Sequence, residues 1–257
     1  VVECAALFQL WSGNPHRPTR DLDLLGFGAP SLPDFEQLFR DICKQDVEND
    51  GLQFLEESVQ AVRLKEDEEY QGIRVKIEAR LKSARLVVQI DIGFGDIVTP
   101  DAHEASFPTL LEMPAPKLKA YHRETVVAEK FQAMVDLGIA NSRMKDFFDL
   151  WTLARQFEFT GSLLCRAILA TFNQRRTAIP ARPPLALTAE FSRDAQKQTQ
   201  WRAFMRRTRL EPGNLELPQV AHDLHEFLMP AALALTTAID SEMRWIPGGP
   251  WHPQARS

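Results

Sequence analysis

The chain has 257 residues, of which 44% are hydrophobic and 25% charged, and its net charge is −5. This composition excludes disordered, collagen-like and coiled-coil proteins, and the negative charge argues against a protein that coats DNA. No run of about 18 apolar residues is present, so the sequence predicts no membrane-spanning segment. Because the three cysteines lie far apart and the first residues carry no secretory signal, we expect a cytoplasmic protein.

The first half of the chain predicts a mixed sheet with few helices. A short helix is expected over residues 3–13, a strand over 19–27 and a second helix over 34–44. Three strand candidates follow at 52–64, 73–81 and 86–92. The last is nearly all apolar, which is typical of a central strand buried on both faces.

The second half predicts helices. A proline-rich stretch at 100–116 leads to helical patterns at 123–137, 142–156, 163–173, 188–207 and 219–239. The fold class expected is therefore α+β, with a core over residues 1–115 and a helical domain over 116–257. We expect the tail to be loose from about residue 247, since it is rich in proline and glycine.

Charge is distributed unevenly along the chain. Residues 34–70 contain 12 acids against 4 bases, whereas residues 139–210 contain 13 bases against 5 acids. A chain with an acidic first half and a basic second half can hold polyanions locally. Solvated helix faces would explain the same charges, so the asymmetry points to function only beside a site that handles phosphate.

Three aspartates suggest a metal site. Asp21 and Asp23 are two residues apart on an expected strand, so their carboxylates project to the same side. Asp91 interrupts an apolar strand, where an unpaired carboxylate is costly. A D-x-D pair alone is most often ordinary surface, but with a third acid it suits Mg²⁺ ligation and two-metal phosphoryl chemistry.

Charged residues also interrupt two of the expected helices. Lys130 lies among apolar residues, so it either reaches a partner anion or, like Glu129, is solvated on an amphipathic helix. In the next helix, the spacing of Arg143, Asp146 and Asp149 allows ion pairs on one face, and Lys145 and Asp149 are four residues apart. These charges form either a salt-bridged helix or a set of groups that orient Lys130 and the metal ligands.

Four segments resemble a known family. RPTRDLDLLGFG (17–28), VQIDIGFGD (88–96), ETVVAEKFQAMVDLG (124–138) and NSRMKDFFDL (141–150) are similar to the motifs of AbiEii/AbiGii nucleotidyltransferase toxins. These toxins belong to type IV toxin–antitoxin and phage-abortive systems. The motifs occur in the family's order and cover about residues 1–155, whereas the last 100 residues match no motif.

The resemblance implies a polymerase-β-like nucleotidyltransferase fold, with a mixed sheet followed by a helical C-terminal half. It implies Mg²⁺-dependent transfer of a nucleotide from an NTP to RNA, most often the 3′ end of tRNA, and a cognate antitoxin as partner. Asp21 and Asp23 would bind Mg²⁺ and the NTP. Asp91 would be the third metal ligand and would help to deprotonate the acceptor hydroxyl.

The resemblance also assigns roles outside the aspartate triad. Lys130 would contact phosphate and Asp146 would be a further catalytic acid. The nucleotide would be bound by Arg17, Thr19, Arg20, Lys130 and Lys145, with support from Glu124, Arg143 and Asp149. The basic helices after Ile139 would hold the acceptor RNA.

The sequence departs from the family in one place. The glycine step that usually precedes the D-x-D pair is replaced here by Glu3, Cys4 and Ala5, so we expect weaker nucleotide binding and a chain that begins inside the conserved unit. This departure keeps two alternatives open. One is a catalytically impaired relative that binds a nucleotide, RNA or a partner protein. The other is a metal-dependent nuclease that uses the same acids.

Overall fold

The computed structural model describes every residue except 4–5, 14–16, 20, 30, 48–49, 66–70, 110–111, 209–214, 238–241 and 255–257. The chain forms two compact units. The first unit comprises residues 1–96 and 104–120, and the second unit comprises residues 97–103 and 121–257. The boundary expected between residues 115 and 116 differs from this division, because residues 117–120 form a strand of the first unit.

The first unit is built on a mixed sheet. Its elements are α1 (Ala6–Ser12), β1 (Asp21–Gly26), α2 (Leu32–Cys43), β2 (Leu52–Lys65), β3 (Gln71–Leu81), β4 (Ala84–Phe94), β5 (His103–Ser106) and β6 (Lys117–Ala120). The main sheet has the order β1-β4-β3-β2. Strand β1 runs parallel to β4, and β3 runs antiparallel to both β4 and β2.

One face of this sheet forms the core of the first unit. Ile73, Val75, Ile90 and Ile92 alternate along β3 and β4 and pack with Phe39 of α2. The expectation that β4 is buried on both faces is wrong, because the positions that alternate with Ile90 and Ile92, among them Gln89 and Asp91, are not buried. The face of the sheet opposite α2 is therefore called the polar face.

The start of the chain extends the sheet beyond β1. The Glu3 amide donates to the Asp23 carbonyl at 3.1 Å, and the Leu25 amide donates to the Val1 carbonyl at 2.8 Å. On the side away from β1, residues 1–3 pair with β6, since the Val2 amide donates to the Lys119 carbonyl at 2.8 Å. Strand β1 is thus paired on both sides, which fixes the position of its aspartates.

The second unit is mostly helical. Its elements are α3 (Arg123–Leu137), α4 (Met144–Gln156), β7 (Phe159–Thr160), α5 (Gly161–Gln174), α6 (Ala189–Arg193), α7 (Ala195–Thr208), α8 (Leu217–Thr237), β8 (Met243–Trp245) and β9 (Trp251–Pro253). The single helix expected over 188–207 is divided at Asp194, which has an extended ψ of 134°. The Asp194 carboxylate accepts from the Lys197 amide at 3.0 Å and so caps α7.

The segment expected to be a loose tail contains a strand. Strand β9 pairs with β8, which pairs with β7. The indole of Trp245 donates to the Ala154 carbonyl at 2.6 Å, and the indole of Trp251 donates to the Phe227 carbonyl at 2.9 Å. The indoles of the buried Trp245 and the half-buried Trp251 therefore hold residues 243–253 against α4 and α8, which proline and glycine content alone does not reveal.

Among the helices of the described residues, none combines the length and the apolar character needed to cross a membrane.

Candidate functional site

The aspartates of β1 and β4 lie side by side on the polar face. In the parallel register, Asp23 is opposite Asp91 and Asp21 is opposite Gln89. Because side chains alternate along a strand, all three aspartates project from the face opposite the Ile90–Ile92 core. The side-chain amide of Gln89 donates from Nε2 to Asp21 Oδ1 at 2.8 Å, which orients that carboxylate.

A residue of β3 holds the third carboxylate. Arg74 lies directly opposite Asp91, and its Nε and Nη2 atoms each donate to one Asp91 oxygen at 2.7 Å. The side chains are 32% and 18% exposed, so this fork is partly shielded from water. A bidentate pair of this kind fixes the plane of the carboxylate and occupies both of its oxygens.

A further carboxylate lies on the same face. A Cβ atom added to Gly93 would lie 3.9 Å from Glu3 Oε1, and Gly93 follows Asp91 by two positions on β4. The pairing of residues 1–3 with β1 places Glu3 opposite Asp23. The polar face therefore carries, strand by strand, Glu3, Asp23, Asp91 and Arg74.

The donors on the polar face suit a divalent metal by their chemistry. Carboxylate oxygens are the ligands that Mg²⁺ prefers, and Asp21 and Asp23 supply them from one strand. Within the described residues, however, no three Asp, Glu, His or Cys side chains are placed to hold a metal ion. Arg74 uses one lone pair of each Asp91 oxygen and adds positive charge beside it, which disfavours a cation at Asp91.

The residues expected to bind the nucleotide near β1 are only partly described. Arg17 is half-buried, and the exposed Thr19 donates its hydroxyl hydrogen to the Asp21 carbonyl at 3.2 Å. Arg20 lies outside the described residues, as do Cys4 and Ala5 of the altered glycine step. Their roles in binding a nucleotide stay predictions.

The second unit contains a buried cluster of charges. Lys130 of α3 is 4% exposed, and its Nζ lies 2.5 Å from Asp146 Oδ1 and 3.0 Å from Asp149 Oδ2. The two aspartates are 1% and 0% exposed and are one helical turn apart on α4. Of the two alternatives for Lys130, the structure selects a bound partner anion over a solvated side chain.

Arg143 completes this cluster. Its Nε lies 2.6 Å from Asp146 Oδ2, and its side chain is 47% exposed. Burial raises the pKa of the Asp146 carboxyl, but attraction to Lys130 and Arg143 outweighs burial, so the pKa is below its ordinary value. Lys130 and Arg143 therefore both stabilise the ionised form of Asp146.

The remaining residues with assigned roles have different surroundings. Glu124 is buried in the first turn of α3, and Lys145 is exposed in the first turn of α4. The brace expected between Lys145 and Asp149 is absent from the described contacts, because Asp149 faces Lys130 in the interior. Helical spacing alone allowed either partner for Asp149.

Sequence reasoning missed the contacts of Arg74, Gln89 and Glu3. The alternation of Ile73, Val75 and Ile77 with charged residues in β3 is a signal that places Arg74 on the face opposite these apolar side chains. The signal that would have paired Arg74 with Asp91 is the short turn at residues 82–83. With Leu81 opposite Ala84, the antiparallel register brings Arg74 opposite Asp91 seven residues away on each strand.

Comparison with known families decides the membership of this chain. A sequence model of the nucleotidyl transferase AbiEii toxin, from type IV toxin–antitoxin systems, matches residues 5–227. The chain belongs to this AbiEii family. The match continues beyond about residue 155, where the resemblance from the four motifs ends, and includes α5 to α7 and part of α8.

Solved structures share the fold. The crystal structure of JHP933 from Helicobacter pylori aligns with 93% of this chain and 85% of its own at 15% identity and a TM-score of 0.51. A second H. pylori structure, of a candidate nucleotidyltransferase, covers 93% of this chain and 89% of its own at 15% identity and a TM-score of 0.50. At this identity the likeness concerns the fold alone. A comparison with curated proteins gives no significant match.

The expected fold class is confirmed for this AbiEii protein: an α+β, nucleotidyltransferase-like mixed sheet followed by helices. The family consists of nucleotidyltransferases, which generally use a divalent metal, and its type IV systems pair the toxin with an antitoxin.

Proposed function

We propose that this AbiEii protein transfers a nucleotide from an NTP to an RNA acceptor, most specifically the 3′ end of tRNA in the cytoplasm, with Mg²⁺ as the metal. The observation that carries the proposal is the register that sets Asp23 beside Asp91, with Asp21 on the same face. The family match supports the reaction class.

The polar face supplies the groups that this reaction needs. Asp21 and Asp23 would hold Mg²⁺ with the triphosphate, and Asp91 would join them once its fork with Arg74 opens. When bound, the metal would neutralise phosphate charge and make the acceptor hydroxyl oxygen a better nucleophile. The acceptor oxygen forms a bond to the α-phosphorus, the bond to pyrophosphate breaks, and Asp91 accepts the proton of the hydroxyl.

The buried cluster of the second unit contains Asp146, for which the resemblance implies a catalytic role. Lys130 keeps Asp146 ionised and fixes its position, since it contacts Asp146 and Asp149 together. The contact with phosphate implied for Lys130 therefore requires one of these ion pairs to change. We propose Lys130 and Asp149 as positioning residues for Asp146.

Transfer of radiolabelled nucleotide tests this function. The assay uses each of the four NTPs with Mg²⁺ and a tRNA pool, and reads length and label on a gel. We expect Asp21→Asn and Asp23→Asn to lower transfer at least about 100-fold, since each removes a metal ligand. Asp46→Asn, at an exposed position away from the sheet strands, is the matched control and keeps its activity.

Two outcomes would contradict the proposal. Absence of transfer to tRNA with all four NTPs would refute it. Shortening of RNA that depends on Asp21 and Asp23 would favour the nuclease alternative.

A binding protein without transferase activity is the second candidate. The Arg74 fork on Asp91 favours it, because it opposes metal binding and proton transfer at that carboxylate. Glu3 beside Gly93 adds a further negative charge, which opposes an anionic triphosphate. Calorimetric titration with Mg²⁺–GTP and Mg²⁺–ATP separates the candidates, since binding without turnover supports only the second.

A further inference from the structure

We propose that an apolar patch on the first unit docks a basic amphipathic helix of a partner protein. The patch lies on the side of the main sheet that carries α2, away from the aspartates. Its six side chains are each between 37% and 50% exposed: Leu38, Ile42, Leu52, Phe54, Leu81 and Leu86. Large apolar side chains gathered on one surface are typical of protein interaction sites, whereas single exposed ones are ordinary.

The register of the strands brings four of these side chains together. Leu52 of β2 is opposite Leu81 of β3, and Phe54 of β2 and Leu86 of β4 lie on either side of the buried Ala79 of β3. Residues opposite each other in a sheet project to the same side, and here that side is the one occupied by the core of the first unit. The four side chains therefore continue this core outward to the surface.

Helix α2 ends before it covers this part of the sheet. The Ala61 amide of β2 donates to Glu36 Oε1 in the first half of α2 at 3.1 Å. Just after the helix, Lys44 Nζ lies 2.7 Å from Glu56 Oε2 of the same strand. Helix α2 thus runs along β2 from residue 61 toward residue 56 and stops short of residues 52–54.

The charges around the patch favour a basic partner. Asp41 is exposed beside Ile42 on α2, and the exposed Asp50 accepts from the Leu52 amide at 2.8 Å. Of the bases in this region, Lys44 is paired with β2 and Lys82 lies in the β3–β4 turn. Like charges repel at short range, so these acids disfavour a second copy of the chain and attract lysine and arginine side chains beside an apolar stripe.

The surroundings favour a helix over an added strand. In the described part of the chain β2 is the outermost strand of the main sheet, but the Ala61 amide is already bonded to Glu36, and the β2–β3 register shifts between Leu55 and Gln60. Both features interrupt the regular row of backbone groups that an added strand needs. A helix that continues the layer of α2 would instead place apolar residues at spacings of three and four on the patch.

Fluorescence anisotropy with a labelled 18-residue peptide and the full chain tests the docking. The peptide has leucines at helical spacing and lysines at the other positions. One control peptide replaces every lysine by glutamate, and a second has the same composition without the helical spacing. We expect a Kd of about 1–100 μM for the first peptide and at least about tenfold weaker binding of both controls.

Two variants test the apolar contact. Ile42→Ser on α2 and Leu86→Ser on β4 should each weaken peptide binding about three- to tenfold, since each removes apolar contact area. The use of two elements separates loss of the surface from a local change in either one. Val62→Ser is the matched control, because Val62 is 51% exposed on β2 but projects from the polar face opposite Arg74, and it should leave peptide binding unchanged.

Asp41→Asn tests the charge beside the patch. It should weaken binding of the lysine peptide about twofold at low salt, and less at high salt, because an exposed charge is screened. Asp136→Asn changes the net charge equally on α3 of the second unit and should have a smaller effect.

Several results would overturn the proposal. These are no binding at about 1 mM peptide, equal affinity for the lysine and glutamate peptides, and equal effects of Ile42→Ser and Val62→Ser. Self-association of the chain in sedimentation experiments that Ile42→Ser abolishes would assign the patch to a second copy instead. Since the patch and the aspartates lie on opposite faces of the sheet, Ile42→Ser should keep nucleotide transfer, so the docking and the proposed function can fail separately.

Discussion

At the scale of single residues, the fork between Arg74 and Asp91 controls the metal-binding capacity of the polar face. Both Asp91 oxygens accept hydrogen bonds from one guanidinium, so a cation and Arg74 compete for the same atoms. The positive charge of Arg74 also repels a cation directly. Arg74 therefore sets how readily Asp91 joins Asp21 and Asp23.

Replacing Arg74 should strengthen metal binding. We expect Arg74→Ala to tighten Mn²⁺ binding about tenfold, equivalent to about 1.4 kcal/mol, measured by electron paramagnetic resonance of free Mn²⁺ without substrate. Arg80→Ala removes an exposed arginine six positions further along β3 and is the control for net charge. Unchanged or weaker Mn²⁺ binding in Arg74→Ala would contradict the competition between Arg74 and the metal for Asp91.

The buried cluster around Lys130 allows a prediction about stability. Lys130→Met leaves Asp146 and Asp149 in the interior without their shared cation, and we expect a loss of about 3–5 kcal/mol in the free energy of unfolding. The double variant Lys130→Met/Asp149→Leu retains the pair of Arg143 with Asp146, so its loss should be smaller than that of the single variant. Urea unfolding of both variants measures the difference. A double variant less stable than Lys130→Met would contradict the coupling.

At the scale of elements, the end of β1 is held by a close approach to β4. A Cβ atom at Gly26 would lie 2.6 Å from Phe94 Cε1 and 2.9 Å from Ile92 Cγ2, closer than such atoms can pack. The Phe94 ring is itself packed edge-on against Phe35, so it has little room to move.

Substitution at Gly26 should therefore strain the sheet. We expect Gly26→Ala to lower the free energy of unfolding by about 1–3 kcal/mol, through overpacking beside the D-x-D strand. Gly93→Ala is the matched control, because its nearest neighbour would be Glu3 Oε1 at 3.9 Å. Chemical denaturation monitored by circular dichroism compares them, and equal losses would show that the contact does not limit packing.

Sequence patterns predicted the elements whose signals are local. The bounds of α3 follow from its apolar spacing and agree with the expected 123–137, and the alternation in β1 placed Asp21 and Asp23 on one side. The partners of these residues depend on contacts distant in sequence. Neither the pairing of Glu3 with Asp23 nor the contact of Lys130 with Asp149 has a local signature, and strand β6 is only four residues long.

At the scale of the whole molecule, the acidic stretch and the basic stretch of the chain belong to different units. The acidic stretch over 34–70 lies in the first unit, and the basic stretch over 139–210 lies in the second. The overall charge of −5 therefore understates the capacity of the second unit for polyanions. It also means that metal ligands and proposed RNA contacts are supplied by different parts of the chain.

Each unit has its own buried core, which predicts separable stability. In the first unit, Ile92 is 3% exposed and packs with Ile73 and Phe39, whereas the second unit contains the buried Lys130 cluster. We expect Lys130→Met to reduce hydrogen-exchange protection in peptides from α3 and α4 while peptides from β3 and β4 keep theirs. Ile92→Ala, which removes a buried side chain from the other core, should produce the reverse pattern. Mass spectrometry of the exchanged peptides measures both, and equal loss of protection throughout the chain in either variant would mean that the two units unfold as one.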